Sequence, residues 1–192
     1  TGRESHAGTT PPSRRRDALV GAARVIALVD RLMREQGEDG RGTVGYLAVA
    51  PNSRNVVPGT VTFSAEFRHP SDAVLDALDR RFESETRAIA AEMTLDLAFT
   101  RILRYPAQPF DAACVALVRE AARRLGYPAR EIVSGAGHDA CAVARVIPTA
   151  MIFVPCRDGL SHNEAESMLP EHAAAGAQVL FEAVLARANR VL

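Results

Sequence analysis

Two histidines near the C-terminal end stand in surroundings that suit chemistry. His138 lies in Ser134-Gly135-Ala136-Gly137-His138-Asp139-Ala140, and His162 in Asp158-Gly159-Leu160-Ser161-His162-Asn163-Glu164-Ala165-Glu166. Each sits in a short polar stretch beside an apolar, strand-like run. That placement suits a ligand pocket at strand ends in an α/β layer. Neutral imidazole is a common zinc ligand, so His162 is a candidate metal ligand. One histidine does not make a metal site, however, and a loop histidine held by a hydrogen bond is the commoner arrangement. His138 and Asp139 open a predicted helix, where free N–H groups attract carboxylates and an imidazole could donate to a substrate carbonyl. The plainer reading is a cap by Asp139 with His138 exposed. Gly135-Ala136-Gly137 lacks the third glycine of a dinucleotide fingerprint.

Three further residues have suitable side chains. Arg68 lies on the polar face of a predicted strand, where a guanidinium either joins a surface salt bridge or clamps a carboxylate bidentately. Asn55 sits in the turn before that strand, a position that asparagine also takes for backbone reasons alone. His6 is flanked by small residues in Ser5-His6-Ala7-Gly8-Thr9-Thr10-Pro11.

The elements that must position these residues follow from periodicity. Leu19, Ala22, Ile26, Val29 and Met33 give residues 17–35 the spacing of an amphipathic helix, which Gly37 and Gly40 end. Residues 43–50 read as a strand and residues 51–55 as a turn. Residues 60–68 alternate, with Val61, Phe63, Ala65 and Phe67 on one face and Thr60, Thr62, Ser64, Glu66 and Arg68 on the other. Ser71 caps a second helix with Leu75, Leu78, Phe82 and Ile89 buried. Leu95, Leu97 and Phe99 mark another alternating strand. With a first strand in residues 1–8 the order is β-α-β-β-α-β. That is the ferredoxin-like order, an antiparallel sheet with two helices on one face. Residues 105–109, Tyr-Pro-Ala-Gln-Pro, are the expected boundary between a domain of residues 1–105 and a segment of residues 106–192.

The second segment reads as an incomplete α/β layer. A helix covers residues 111–125, a short strand 131–133 and a helix 138–145. An apolar strand follows at 149–154, then a long alanine-rich helix from about Pro170 to Arg190. Two strands make a thin sheet.

Composition bounds the function. The chain has 192 residues, 47% of them hydrophobic, with Lys+Arg and Asp+Glu both at 23. A net charge of zero does not indicate a nucleic-acid partner. Arg14, Arg15 and Arg16 form the only basic run and read as a solvated loop or helix start. Cys114, Cys141 and Cys156 have no metal or disulfide spacing, which fits a reducing cytoplasm. No apolar stretch reaches the roughly 20 residues that a membrane span needs. The chain opens on Thr1 within strand-like sequence, without a leader, and is expected to be a portion of a longer protein.

Taken in order, four blocks resemble one family. The first is Gly2-Arg3-Glu4-Ser5-His6-Ala7-Gly8-Thr9-Thr10-Pro11 with Arg15-Arg16-Asp17-Ala18-Leu19. The second is Pro51-Asn52 with Asn55-Val56-Val57-Pro58-Gly59 and Phe67-Arg68-His69-Pro70. The third is the block around His138. The fourth is Met151-Ile152-Phe153-Val154-Pro155 with the block around His162. Together they resemble the hydantoinase/carbamoylase amidases, metal-dependent amidohydrolases of the aminoacylase-like superfamily. Pro12 stands where that family usually has Met.

The resemblance implies roles. Residues 1–105 would be the lid or dimerisation domain, and residues 106–192 the C-terminal part of a catalytic domain. His162 would be the last ligand of a centre holding two divalent metals per complete site (zinc, manganese, nickel or cobalt). Asn55, Arg68 and His138 would bind substrate, with Arg68 on its carboxylate and Asn55 beside it. His6 would reach across a homodimer to polarise the scissile carbonyl. The implied reaction is attack of metal-activated water on the carbamoyl or ureido group of an N-carbamoyl-L-amino acid, with allantoate or β-ureidopropionate as alternative substrates. The family's other metal ligands and its general base find no counterpart here, so the segment alone is expected to be inactive. A non-catalytic dimerisation module is the competing class.

Overall fold

The computed structural model describes residues 1–189. The chain divides into two compact units, Thr1–Ala107 and the part from Gln108 onward.

Unit 1 is built on helix α1 (Ala18–Glu35). Asp17 caps it: its carboxylate accepts from the Leu19 and Val20 amides at 3.0 and 3.1 Å. The buried stripe runs through Ala18, Ala22, Val25, Leu28, Val29, Leu32 and Met33, with Leu32 fully enclosed. It is wider than the expected one and shifted from it. Leu19 and Ile26 are only half-buried, because α1 serves a sheet and a second helix together.

Strand β2 (Arg41–Ala50) pairs antiparallel with β4 (Thr60–Arg68), from Arg41 opposite Arg68 to Ala50 opposite Thr60, with an irregularity between Thr43 and Tyr46. Phe63, Ala65 and Phe67 of β4 pack on the helical core, as the alternation requires. Helix α2 (Asp72–Glu92) closes the core with Leu78 and Phe82, and Phe82 meets Phe67 edge-on at 5.0 Å between ring centroids. Ser71 occupies the cap position of α2, but its hydroxyl makes no capping bond.

The sheet differs from the expected single ferredoxin-like one. The described residues form two separate two-stranded ladders, β2–β4 and a short pair of β1 (Ser5–His6) with β3 (Val56–Val57). Residues 95–99 carry no strand. The Thr1 and Asp96 main chains instead exchange hydrogen bonds of 2.7 and 2.8 Å. Phe99 packs on Phe82 at 5.8 Å. The alternation in residues 95–99 therefore reports which side chains are buried, not a ladder.

Unit 2 packs α3 (Ala112–Arg124) against α5 (Pro170–Ala188) through Leu117, Ala121, Ala122, Val179 and Ala183. Arg190, the expected end of the last helix, lies outside the described residues. Asp111 caps α3 by accepting from the Cys114 amide at 2.8 Å. The predicted strands at 131–133 and 149–154 have no ladder partner among the described residues. The second is held by its side chains: Ile152 packs on the α3–α5 core, and a Cβ at Gly176 would come within 2.5 Å of Val154. Helix α4 (Asp139–Val143) is a single short turn after the glycines. Among the described residues no helix is long and apolar enough to cross a membrane.

Candidate active site

In unit 1 the β1–β3 pair brings His6 and Asn55 together. His6 lies opposite Val56, and the Ala7 amide donates to the Asn55 carbonyl at 2.8 Å. Both side chains are exposed. One hydrogen bond orients the imidazole. Its Nδ1 accepts from the Gly8 amide at 3.0 Å. A nitrogen that accepts carries no proton, so neutral His6 bears its proton on Nε2 and presents a donor outward. At Asn55 the carboxamide oxygen accepts from the Ser53 hydroxyl at 3.2 Å, which leaves the NH2 end as its donor. Two side-chain donors thus flank one turn, an arrangement that can stabilise negative charge developing on a carbonyl oxygen.

Arg68 stands at the other end of β4, on the polar face as the alternation predicts. Its guanidinium already has a carboxylate at hand: Nη2 lies 2.9 Å from Glu66 Oε1, two residues away on the same face. Both side chains are about half exposed, at 44% and 52%, so the pair is weak and an incoming carboxylate can compete for the fork. Asn55 keeps company with His6; the chain passes through β3 and the whole of β4 before it reaches Arg68.

In unit 2, His138 is the cap of α4. Its Nδ1 accepts from the Ala140 amide at 3.0 Å, so the ring, and not Asp139, does the capping. The consequence matches that at His6: Nε2 carries the proton and points away as a donor. His162 is exposed and has a left-handed backbone, φ 56°. Its amide donates to Glu166 Oε2 at 2.9 Å. A histidine at positive φ costs roughly 1 kcal/mol or more and is held only where its surroundings enforce it; such residues cluster at working sites. Among the described residues no group of three or more His, Cys, Asp or Glu side chains could hold a metal. His162 offers one imidazole, and a zinc site needs three or four ligands. The donor set of the described residues is therefore not a metal centre by itself. Burial first, and the Asp111 carboxylate second, push the Cys114 thiol up, which disfavours its thiolate.

The sequence reading missed Arg15. It belongs to the basic run taken as solvated, yet it is half-buried. Its Nε donates to the Thr10 carbonyl at 2.9 Å and its Nη2 to the Ala7 carbonyl at 2.6 Å. Backbone acceptors leave no mark in a sequence; the signals were its place in the first block and its position two residues before a helix cap.

The comparisons agree with one another. The pattern of peptidase family M20/M25/M40 matches residues 13–186. An N-carbamoyl-L-amino-acid amidohydrolase of Rhizobium meliloti is 44% identical over 100% of this chain and 46% of its own length. An allantoate amidohydrolase of Escherichia coli K12 is 36% identical over 86% of this chain and 40% of its own. A crystal structure of a hydantoinase/carbamoylase family amidase from Burkholderia multivorans superposes with a TM-score of 0.91 at 55% identity, covering 97% of this chain and 46% of that one. The chain spans less than half the length of these relatives. On that match, and on the four sequence blocks that run in order along it, the chain belongs to the peptidase family M20/M25/M40, among its hydantoinase/carbamoylase amidases.

Proposed function

We propose that this chain is part of an amidohydrolase that cleaves the carbamoyl C–N bond of N-carbamoyl-L-amino acids. The observation that carries the reading is the His6–Asn55 turn: an imidazole fixed as an Nε2–H donor beside a carboxamide donor. Such a pair suits the oxygen of a ureido carbonyl as water adds to it. Arg68 supplies the complementary half, a fork for the substrate carboxylate, and His138 a second fixed Nε2–H donor.

The parts are to be assembled across a homodimer. His6 and Asn55 join β4 at its Thr60 end, since the Gly2 amide bonds the Gly59 carbonyl at 2.7 Å and the Gly59 amide bonds the Ala50 carbonyl at 3.1 Å. Arg68 lies at the far end of the same strand. We therefore assign His6 to the site whose Arg68 belongs to the partner subunit, with residues 1–105 acting as the lid that pairs the two. His162 would be one ligand of a two-metal centre whose other ligands this chain does not hold, so residues 1–192 alone are expected to be inactive.

The substrate is tested by incubating the full-length protein with N-carbamoyl-L-amino acids, allantoate and β-ureidopropionate and measuring the free amine or ammonia. Preferred turnover of the first is expected, in line with the higher identity to a relative that bears that name. Preferred turnover of allantoate would move the assignment to the second substrate. No turnover of any ureido compound would sink the enzyme reading in favour of a dimerisation module.

A further inference from the structure

We propose that Arg15 is a positioning residue for His6, acting through the Ala7–Gly8 peptide. This rests on the reading of His6 given above. One peptide unit makes both of the relevant bonds. Its N–H, that of Gly8, donates to His6 Nδ1 at 3.0 Å, and its C=O, that of Ala7, accepts from Arg15 Nη2 at 2.6 Å. The guanidinium therefore holds the same plane that holds the imidazole. A charge-assisted bond to the carbonyl also polarises the unit and makes its N–H a stronger donor to the ring.

The second arm of Arg15 closes the turn. Nε reaches the Thr10 carbonyl at 2.9 Å, and the Thr10 amide returns to the His6 carbonyl at 3.1 Å. Both arms of the fork are used, which a lysine cannot reproduce. Gly8 completes the mount by what it lacks. A Cβ there would stand 3.2 Å from His6 Cε1 and 3.4 Å from Nδ1, close enough that the ring must shift by a few tenths of an ångström. Arg15 is half-buried and touches neither the outward Nε2 nor any substrate position argued above. Its effect must pass through the tautomer and direction of His6.

The test uses the full-length protein with 15N-labelled histidine, at a pH where imidazole is neutral. In wild type the nitrogen shifts of His6 should report the Nε2–H form. In Arg15→Met and Arg15→Lys the His6 signal should move toward a mixture of tautomers. Turnover of the preferred ureido substrate should fall roughly 10- to 100-fold, with KM nearly unchanged. Gly8→Ala, which disturbs the same peptide with Arg15 intact, should give the same signature; an unchanged His6 signal there would break the route through which Arg15 is to act and overturn the proposal even if the Arg15 variants fail to fold. In a His6→Ala background the further change Arg15→Lys should cost little, because its route is already gone. An unchanged tautomer in a folded variant, or a full additional loss in that background, would overturn the proposal. If His6→Ala itself leaves turnover intact, the role of His6 is wrong, and the tautomer measurement still decides what Arg15 does.

Discussion

Mixed dimers give the sharpest test of the proposed assembly across a homodimer. β4 runs nine residues from Thr60 to Arg68. At about 3.3 Å per residue that is roughly 26 Å, several times the span from the carboxylate to the ureido carbonyl of a carbamoyl amino acid. A histidine anchored at the Thr60 end and an arginine at the other end would then act on one substrate only if they come from different copies. The perturbation is a pair of variants, His6→Ala and Arg68→Ala, each expected to be nearly inactive as a homodimer. In a heterodimer one site receives both mutations and the other receives neither. Random one-to-one pairing makes about half of the dimers heterodimers, each with one intact site of two, so activity should return to about one quarter of wild type. The assay is co-expression of two differently tagged full-length chains, tandem purification of the heterodimer and turnover per dimer. The purified heterodimer should show about half of the wild-type rate. A verified heterodimer no more active than either parent would refute the reasoning, since His6 and Arg68 would then serve the same site in the same chain.

Arg68→Lys should lower kcat/KM for N-carbamoyl amino acids by roughly 10- to 100-fold, the value of a charge-assisted bond worth about 1.5–3 kcal/mol, and should barely affect an amide analogue without the carboxylate. Equal losses with both substrates would remove the carboxylate clamp. Thr86 is buried in α2 and its hydroxyl finds no partner among the described residues. Thr86→Val keeps the shape and removes that group, so the urea midpoint should rise, by roughly 1 kcal/mol of stability; a lower midpoint would mean the hydroxyl is satisfied. Acid should weaken both units. Arg81 holds the Glu35 carboxyl below its usual range, Arg31 does so at Glu85, and the Cys114 amide does so at Asp111. Groups lowered in the folded state contribute stability that is present above about pH 4.3 and lost as pH falls through their folded values. Denaturation midpoints should therefore drop below that pH, and in unit 1 high salt should flatten the dependence, because its pairs are exposed. A midpoint that rises on acidification would contradict the sign.

Where burial follows a local period, the fold was legible. The alternation of β4 and the extent of α3 could be read because one strand or helix decides them, and Ala22, Val29 and Met33 of the α1 stripe followed in the same way. What failed depended on another segment. Residues 95–99 alternate like a strand, yet their main chain meets Thr1 and not β2 or β4. Residues 149–154 are apolar enough for a buried strand, but a strand exists only with a partner, and none is present among the described residues. Ser71 stands at the expected cap position of α2, but its hydroxyl makes no capping bond.

At the site the division falls between side-chain identity and side-chain state. The residues and the resemblance of the four blocks put forward His6, Asn55, Arg68, His138 and His162 as candidates. They could not say which ring nitrogen carries a proton, because at both His6 and His138 that is set by a backbone amide two residues on. The alternation left Arg68 open between a surface salt bridge and a carboxylate clamp, and the structure pairs it with Glu66. That pair changes what the clamp must do. A substrate carboxylate would have to displace Glu66, or share the fork with it, and the like charge two residues away would tax binding. Glu66→Gln in the full-length enzyme should therefore lower KM for carboxylate substrates and leave the amide analogue unaffected. A higher KM would show that Glu66 orients the guanidinium instead of competing for it.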